Sequence, residues 1–103
     1  FGSGASTTSV LASGILELAR HPEQAALFRS DPERWKRGVS EETLRFRPAI
    51  IAIGQKSASE QDAFGVHFAK EEPIAVVLGA ANRDPERWED PERFDIRRDP
   101  NVM

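Results

Sequence analysis

Glu41-Glu42-Thr43-Leu44-Arg45 closes a helical run just before Arg47-Pro48. On a helix, Glu42 and Arg45 share a face three residues apart, so carboxylate and guanidinium can pair. Most pairs at this spacing are solvated and contribute only about 0.2–1 kcal/mol, so a plain surface pair is one reading. The other takes in a distant arginine, Arg93, in Asp90-Pro91-Glu92-Arg93-Phe94. A second cation on Glu42 would make the pair an anchor between the helix and the C-terminal part of the chain.

Upstream, the second and third helices are announced by proline. Leu11, Ile15 and Leu18 repeat at helical spacing with Ser9, Ser13, Glu17 and Arg20 opposite, which predicts an amphipathic helix over about 7–20 with the leucines inward. His21-Pro22 breaks it and starts the next, whose apolar side is Ala25 to Phe28. Asp31-Pro32 repeats the device, because Asp caps free N–H groups and Pro has none to lose. The third helix carries Trp35, Val39, Thr43 and Phe46 as a stripe, has a possible break at Gly38, and ends at Pro48.

Downstream the period changes. Ile50-Ile51-Ala52-Ile53 leads into polar Gln55-Lys56-Ser57 and reads as a strand leaving a buried place. Ser59 to Asp62 reads as a loop, Phe64 to Phe68 as a second strand, Lys70-Glu71-Glu72 as a charged turn, and Pro73 to Leu78 as a third apolar run. The fold class is mainly α with a small β-sheet, α+β. Asp-Pro-Glu-Arg followed by an aromatic occurs at Asp31, Asp84 and Asp90. Unequal spacing excludes a solenoid, leaving three capped turns or helix starts.

Composition narrows the chemistry. Lys+Arg 14 against Asp+Glu 17 gives a net charge of -3, with no electrostatic footprint for nucleic acid or an acidic membrane surface. The chain has no cysteine, so disulfides, Cys-ligated zinc, thiol catalysis and a Cys-ligated haem are impossible within these 103 residues. His21 and His67 lack carboxylates at ligand spacing and read as cap and strand residues, so no metal ligand is expected. The uncharged run over 1–16 lacks a basic flank and enough apolar residues for a signal peptide or a membrane span. Gly2-Ser3-Gly4 has neither the preceding strand nor the lysine of a phosphate loop.

In this order the phrases resemble those of the cytochrome P450 family of haem-thiolate monooxygenases, in its soluble bacterial style. Glu42-Thr43-Leu44-Arg45 looks like the family's Glu-x-x-Arg in the K helix. Ala81-Asn82-Arg83-Asp84-Pro85 and Asp90 to Asp95 look like the stretch that follows, and Arg20-His21-Pro22-Glu23 like the exit from the I helix. The resemblance implies a partial cytochrome P450 fold over 1–103, a segment of a larger domain: the end of the I helix, the J and K helices, β-strands with a hairpin, and the start of the meander. It also implies that Arg93 joins Glu42 and Arg45 in a structural triad.

For function, the resemblance implies an oxidoreductase that inserts one oxygen atom from O2 into a small apolar substrate. The cofactor would be haem b, the electron source a ferredoxin- or flavodoxin-type partner, and the location cytoplasmic. Ser6 or Thr7 stands where the family keeps its oxygen-activating hydroxyl, with no acid beside it, and an ordinary polar helix start is the other reading of this stretch. Ile50 and Ile51 fall on the strand bordering haem and substrate, where a core strand would look the same; Lys56 falls where relatives hold a haem propionate, and a solvated lysine is its other reading. Glu71 occupies a turn position commonly given to glycine and implies a local change of the turn. The thiolate loop would begin shortly after Met103, so the segment alone is expected to bind no haem stably and to be inactive. The alternative function is a catalytically inactive remnant or interaction module. An unrelated small helical domain with a hairpin would require every matched phrase to be coincidence.

Overall fold

A computed structural model describes residues 2–99 and 101, with side chains from residue 4 onward; Phe1, Pro100, Val102 and Met103 lie outside it. Three helices come first: α1 (Gly2–Arg20), α2 (Pro22–Ser30) and α3 (Pro32–Phe46). Both junctions follow the proline logic. Asp31 Oδ1 accepts the backbone N–H of Arg34 at 3.2 Å, with Pro32 opening α3. His21 precedes Pro22 without a side-chain cap, its Nδ1 lying 2.8 Å from the carbonyl of Glu17. Arg47 donates its N–H to the Thr43 carbonyl at 2.8 Å, and the chain leaves the helix before Pro48.

The inward face of α1 is turned away from the one its leucines suggest, with only Leu18 of the stripe half-buried. Leu11 and Ile15 are 63% and 69% exposed, whereas Gly14 and Glu17 are buried and Val10 and Ser13 half-buried. Small residues let the backbones of α1 and α3 approach: a Cβ on Gly14 would stand 3.2 Å from Thr43 Oγ1. Close approach outweighs the leucine stripe, which is left open. Gly38 is likewise no break in α3, which runs through it unbroken. A Cβ there would lie 2.2 Å from the carbonyl oxygen of Ile96, so only glycine lets the C-terminal coil rest on the helix.

Two small antiparallel sheets follow. Strand β1 (Ala52–Lys56) starts two residues later than its isoleucines suggest and pairs with β4 (Pro73–Val77), Ala52 opposite Val77 and Lys56 opposite Pro73. Strands β2 (Gln61–Ala63) and β3 (Val66–Phe68) form a hairpin. Part of the expected loop is therefore strand, and Phe64-Gly65 is the turn rather than the start of a strand. Both turn residues have positive φ, 53° and 75°, the signs that match the twist of a two-residue hairpin. Glu71 also has positive φ, 67°: the turn keeps the left-handed conformation that glycine would favour, with a glutamate in it.

After the short α4 (Leu78–Ala81) the chain coils back over the helices. The second and third Asp-Pro-Glu-Arg phrases are turns, closed by Trp88 N–H on the Asp84 carbonyl at 2.9 Å and Arg93 N–H on that of Asp90 at 2.9 Å. This coil supplies the buried apolar core, Trp88, Phe94 and Ile96. Phe94 stacks on His21 and meets Phe46 edge-on. The radius of gyration is 16.9 Å, against roughly 13 Å for a compact domain of 100 residues. The residues make an open scaffold around a narrow core.

Candidate functional site

Glu42 is fully buried and is the hub of the C-terminal coil. Its Oε2 accepts from Arg45 Nε at 2.7 Å. Its Oε1 accepts from Arg45 Nη2 at 2.8 Å, from the Asp95 N–H at 2.9 Å and from Arg98 Nε at 3.0 Å. Arg45 turns its other donors onto three carbonyls: Nη1 onto Asn82 and Pro91, each at 2.9 Å, and Nη2 onto Arg93 at 3.0 Å. All five guanidinium hydrogens thus have acceptors. Among the described residues no buried side-chain N or O lacks a partner, the condition under which a buried charge is tolerated.

The second cation on Glu42 is Arg98, not Arg93. The Arg93 side chain is 54% exposed and lies 3.5 Å from Asp95, away from Glu42. Its neighbour Phe94 turns into the core, which sends Arg93 outward; only its carbonyl enters the cluster, accepting from Arg45 and from Arg98, each at 3.0 Å. Arg98 also donates to the carbonyls of Glu89 at 2.6 Å and Asp90 at 2.7 Å. Beside them Arg97 clasps Asp95 through Nε and Nη2, both at 2.8 Å, and these bonds lower the Asp95 pKa to about 2. Sequence reasoning also missed Gln24, whose Oε1 accepts the Ile96 N–H at 2.8 Å. A glutamine in a helix gives no signal of that role. The Arg97-Arg98 pair did offer one, standing just past the aromatic that anchors the coil.

A cleft of about 550 Å³ opens on the other side of α3, between α1 and the segment that leaves α3. Ser6, Thr7, Val10 and Leu11 form one wall; Leu44, Pro48, Ala49, Ile50 and Leu78 form most of the other. Its surface is mainly apolar, with the two hydroxyl residues on the α1 wall. Ser6 and Thr7 are thus brought together with Ile50. Ile51 is not, and lines a separate cleft with Arg47 and Arg83. Lys56 is exposed at the end of β1, six residues beyond Ile50 and roughly 20 Å along extended chain, and is no part of the cleft lining. Among the described residues no cluster of His, Asp and Glu could hold a metal ion. No described helix is long and apolar enough to cross a membrane.

Comparison with known proteins agrees with this arrangement. The family model for cytochrome P450 matches residues 37–98, from the middle of α3 to Arg98. The chain is 35% identical over 92 residues to cytochrome P450 CYP199A2 of Rhodopseudomonas palustris, covering 89% of this chain and 22% of that protein. It is 40% identical over 94 residues to cytochrome P450 107B1 of Saccharopolyspora erythraea, covering 90% and 23%. The solved structure of P450BioI in complex with a hexadec-9Z-enoic acid-ligated acyl carrier protein superposes with a TM-score of 0.88 at 33% identity, over 94% of this chain and 25% of that one. The chain therefore spans under a quarter of the curated relatives it matches. The helices, the two small sheets and the Glu42–Arg45–Arg98 cluster, together with a family match over more than half its residues, show that the chain belongs to the cytochrome P450 family, as a bacterial-type segment of that fold.

Proposed function

We propose that residues 1–103 are one part of a larger haem-thiolate monooxygenase domain, running from the end of its I helix to its meander. The whole protein inserts one oxygen atom from O2 into a small apolar substrate, working in the cytoplasm with electrons from a ferredoxin- or flavodoxin-type protein. The observation that carries this reading is the cleft itself: a mainly apolar cleft of about 550 Å³ with two hydroxyl residues on its α1 wall, framed by the helix that bears the buried Glu42–Arg45 pair.

The donor set fits one side of a haem pocket. Leu44, Pro48, Ala49 and Ile50 offer an apolar wall of the kind that holds an apolar ring and excludes water. Lys56, exposed and outside the cleft lining, is not placed by this wall to meet a propionate. With no cysteine in the sequence, the axial thiolate belongs to residues outside 1–103, and this stretch alone forms no competent enzyme. Haem, when bound, supplies the O–O cleavage chemistry. The residues here position and exclude. Ser6 and Thr7 bring hydroxyl residues to the α1 wall of the cleft, where a hydroxyl can hold a water or pass a proton. The Glu42 cluster fixes α3 against the coil that leads toward the ligand loop.

The test is the full-length protein, produced with haem supplied, and its reduced carbon monoxide difference spectrum. A thiolate-type Soret band is expected. A folded protein that binds haem without such a band, or binds none, would overturn the proposal. The residues following Met103 give a second check, because a glycine-rich loop with one cysteine is required there.

A further inference from the structure

We propose that Glu17 and Arg47 are a positioning pair that sets the separation of the two cleft walls, and so the bulk of the ligand the cleft admits. The inference rests on the haem-enzyme reading above.

Glu17 is 1% exposed on α1, a buried carboxylate with no part in the Glu42 cluster. Arg47 Nε donates to its Oε1 at 2.6 Å, while Arg20 Nη1 and His21 Nδ1 stand 3.7 and 3.6 Å from the carboxylate. Arg47 is half-exposed and ends α3, its own N–H held by the Thr43 carbonyl. The next three residues, Pro48, Ala49 and Ile50, line the apolar cleft. The facing wall, Ser6 to Leu11, belongs to α1, and Val10 lies two helical turns, about 10 Å, before Glu17. One end of the pair is thus on the helix that makes one wall, and the other is on the residue that launches the opposite wall. Gly14 packed on Thr43 brings α1 and α3 together at the same level. On this proposal the ion pair fixes the direction in which 48–50 departs from α3. The pair is charge-assisted and one partner is fully desolvated, so it holds its geometry more tightly than an exposed pair.

The experiment uses the full-length haem protein and two azole probes, imidazole and 4-phenylimidazole, titrated by the change in the haem absorption band. On the haem reading both would ligate the iron from the cleft side, but only the second would have to fit between its walls. Arg47→Ala is expected to keep haem content and imidazole affinity while weakening 4-phenylimidazole by about tenfold, the effect of one badly filled apolar contact. Arg47→Lys, which keeps the charge beside Glu17, is expected to restore most of that loss. Equal changes for both azoles, or no change for either, would overturn the inference. So would loss of haem in Arg47→Ala, which would make the pair a determinant of folding as a whole. A parent protein that bound no haem would overturn the proposed function and this inference together; a haem-loaded parent whose variants keep its azole ratio would overturn this inference alone.

Discussion

Arg98→Ala and Arg93→Ala should separate sharply, although both remove an arginine from the same short coil. Arg98 is 13% exposed and makes four hydrogen bonds, one to the buried Glu42 carboxylate and three to the carbonyls of Glu89, Asp90 and Arg93. Bonds involving charged groups are each worth about 1.5–3 kcal/mol, but water can reach the freed carbonyls, and Glu42 keeps both Arg45 bonds and the Asp95 N–H. The expected loss is therefore about 2–4 kcal/mol, below the sum of the four bonds and close to that for breaking a buried pair. Arg93 touches only Asp95, at 3.5 Å and half in water, and an exposed contact of that kind contributes about 0–1 kcal/mol. Its carbonyl, which does serve the cluster, survives any side-chain truncation. Urea unfolding of the whole protein, with haem content read alongside, makes the comparison. A double-mutant cycle of Arg98→Ala with Glu42→Gln should return a coupling of about 1 kcal/mol or more. If Arg93→Ala proved as damaging as Arg98→Ala, or the coupling were absent, the assignment of Arg98 as the second cation would be wrong.

Gly38→Ala gains about 1 kcal/mol of helix propensity yet drives a methyl to 2.2 Å from a backbone oxygen; overpacking of that kind costs about 1–3 kcal/mol. The net effect on urea unfolding should be destabilising. Glu71→Gly should do the reverse: the left-handed backbone costs a side-chain-bearing residue about 1–2 kcal/mol, against about 0.5–1 kcal/mol for the freedom glycine loses on folding, so stability should rise by about 0.5 kcal/mol. Asp95 titrates at about 2 because Arg97 bonds its carboxylate. A lowered folded-state pKa adds stability that is fully present above the ordinary value of 3.8 and lost as pH falls through about 2. Arg97→Gln should move the Asp95 carboxyl signal in an NMR titration back toward the ordinary value, and the loss of stability that Asp95 contributes between pH 3.8 and about 2 should largely disappear, because its pKa would then match in the folded and unfolded chain.

The elements that were legible in the sequence are those whose cause is local. Asp31-Pro32 and His21-Pro22 set helix starts through their own backbone chemistry, and Pro48 ends α3 by steric conflict with the residue before it. The hairpin and its turn were misplaced by a few residues because Phe64-Gly65 lacks the Asn or Asp that usually marks such a turn. Arg93 was chosen over Arg98 for a related reason: a motif gives residue types in order, while which arginine turns inward depends on where Phe94 anchors. The face of α1 was read backwards because hydrophobic periodicity assumes that the largest apolar residues face the nearest neighbour. Here the neighbouring helix needs Gly14 and Glu17, a requirement of fit and charge that no period records.

That reversal bears on how the chain divides its work. Among the described residues six polar or charged ones are buried, Glu17, Gln24, Glu42, Thr43, Arg45 and Ser57, against three large apolar ones, while Leu11, Ile15, Ile50 and Ile51 stand exposed. In a self-contained domain this would be an inverted core, because apolar burial is the main stabilising term. In a scaffold whose apolar surfaces form the walls of clefts, the polar contacts must supply the internal geometry. Charge-assisted bonds suit that task because they fix distance and direction, which apolar contact does not. Glu42 sets the coil on α3, Glu17 sets α1 on the exit from α3, and the side chains left outside by both are those that a ligand or a neighbouring part of the domain would cover. On this reasoning the two glutamates should be separable: loss of the Glu42 cluster should release the coil and the haem together, whereas loss of the Glu17 pair should change which ligands enter a haem site that remains intact.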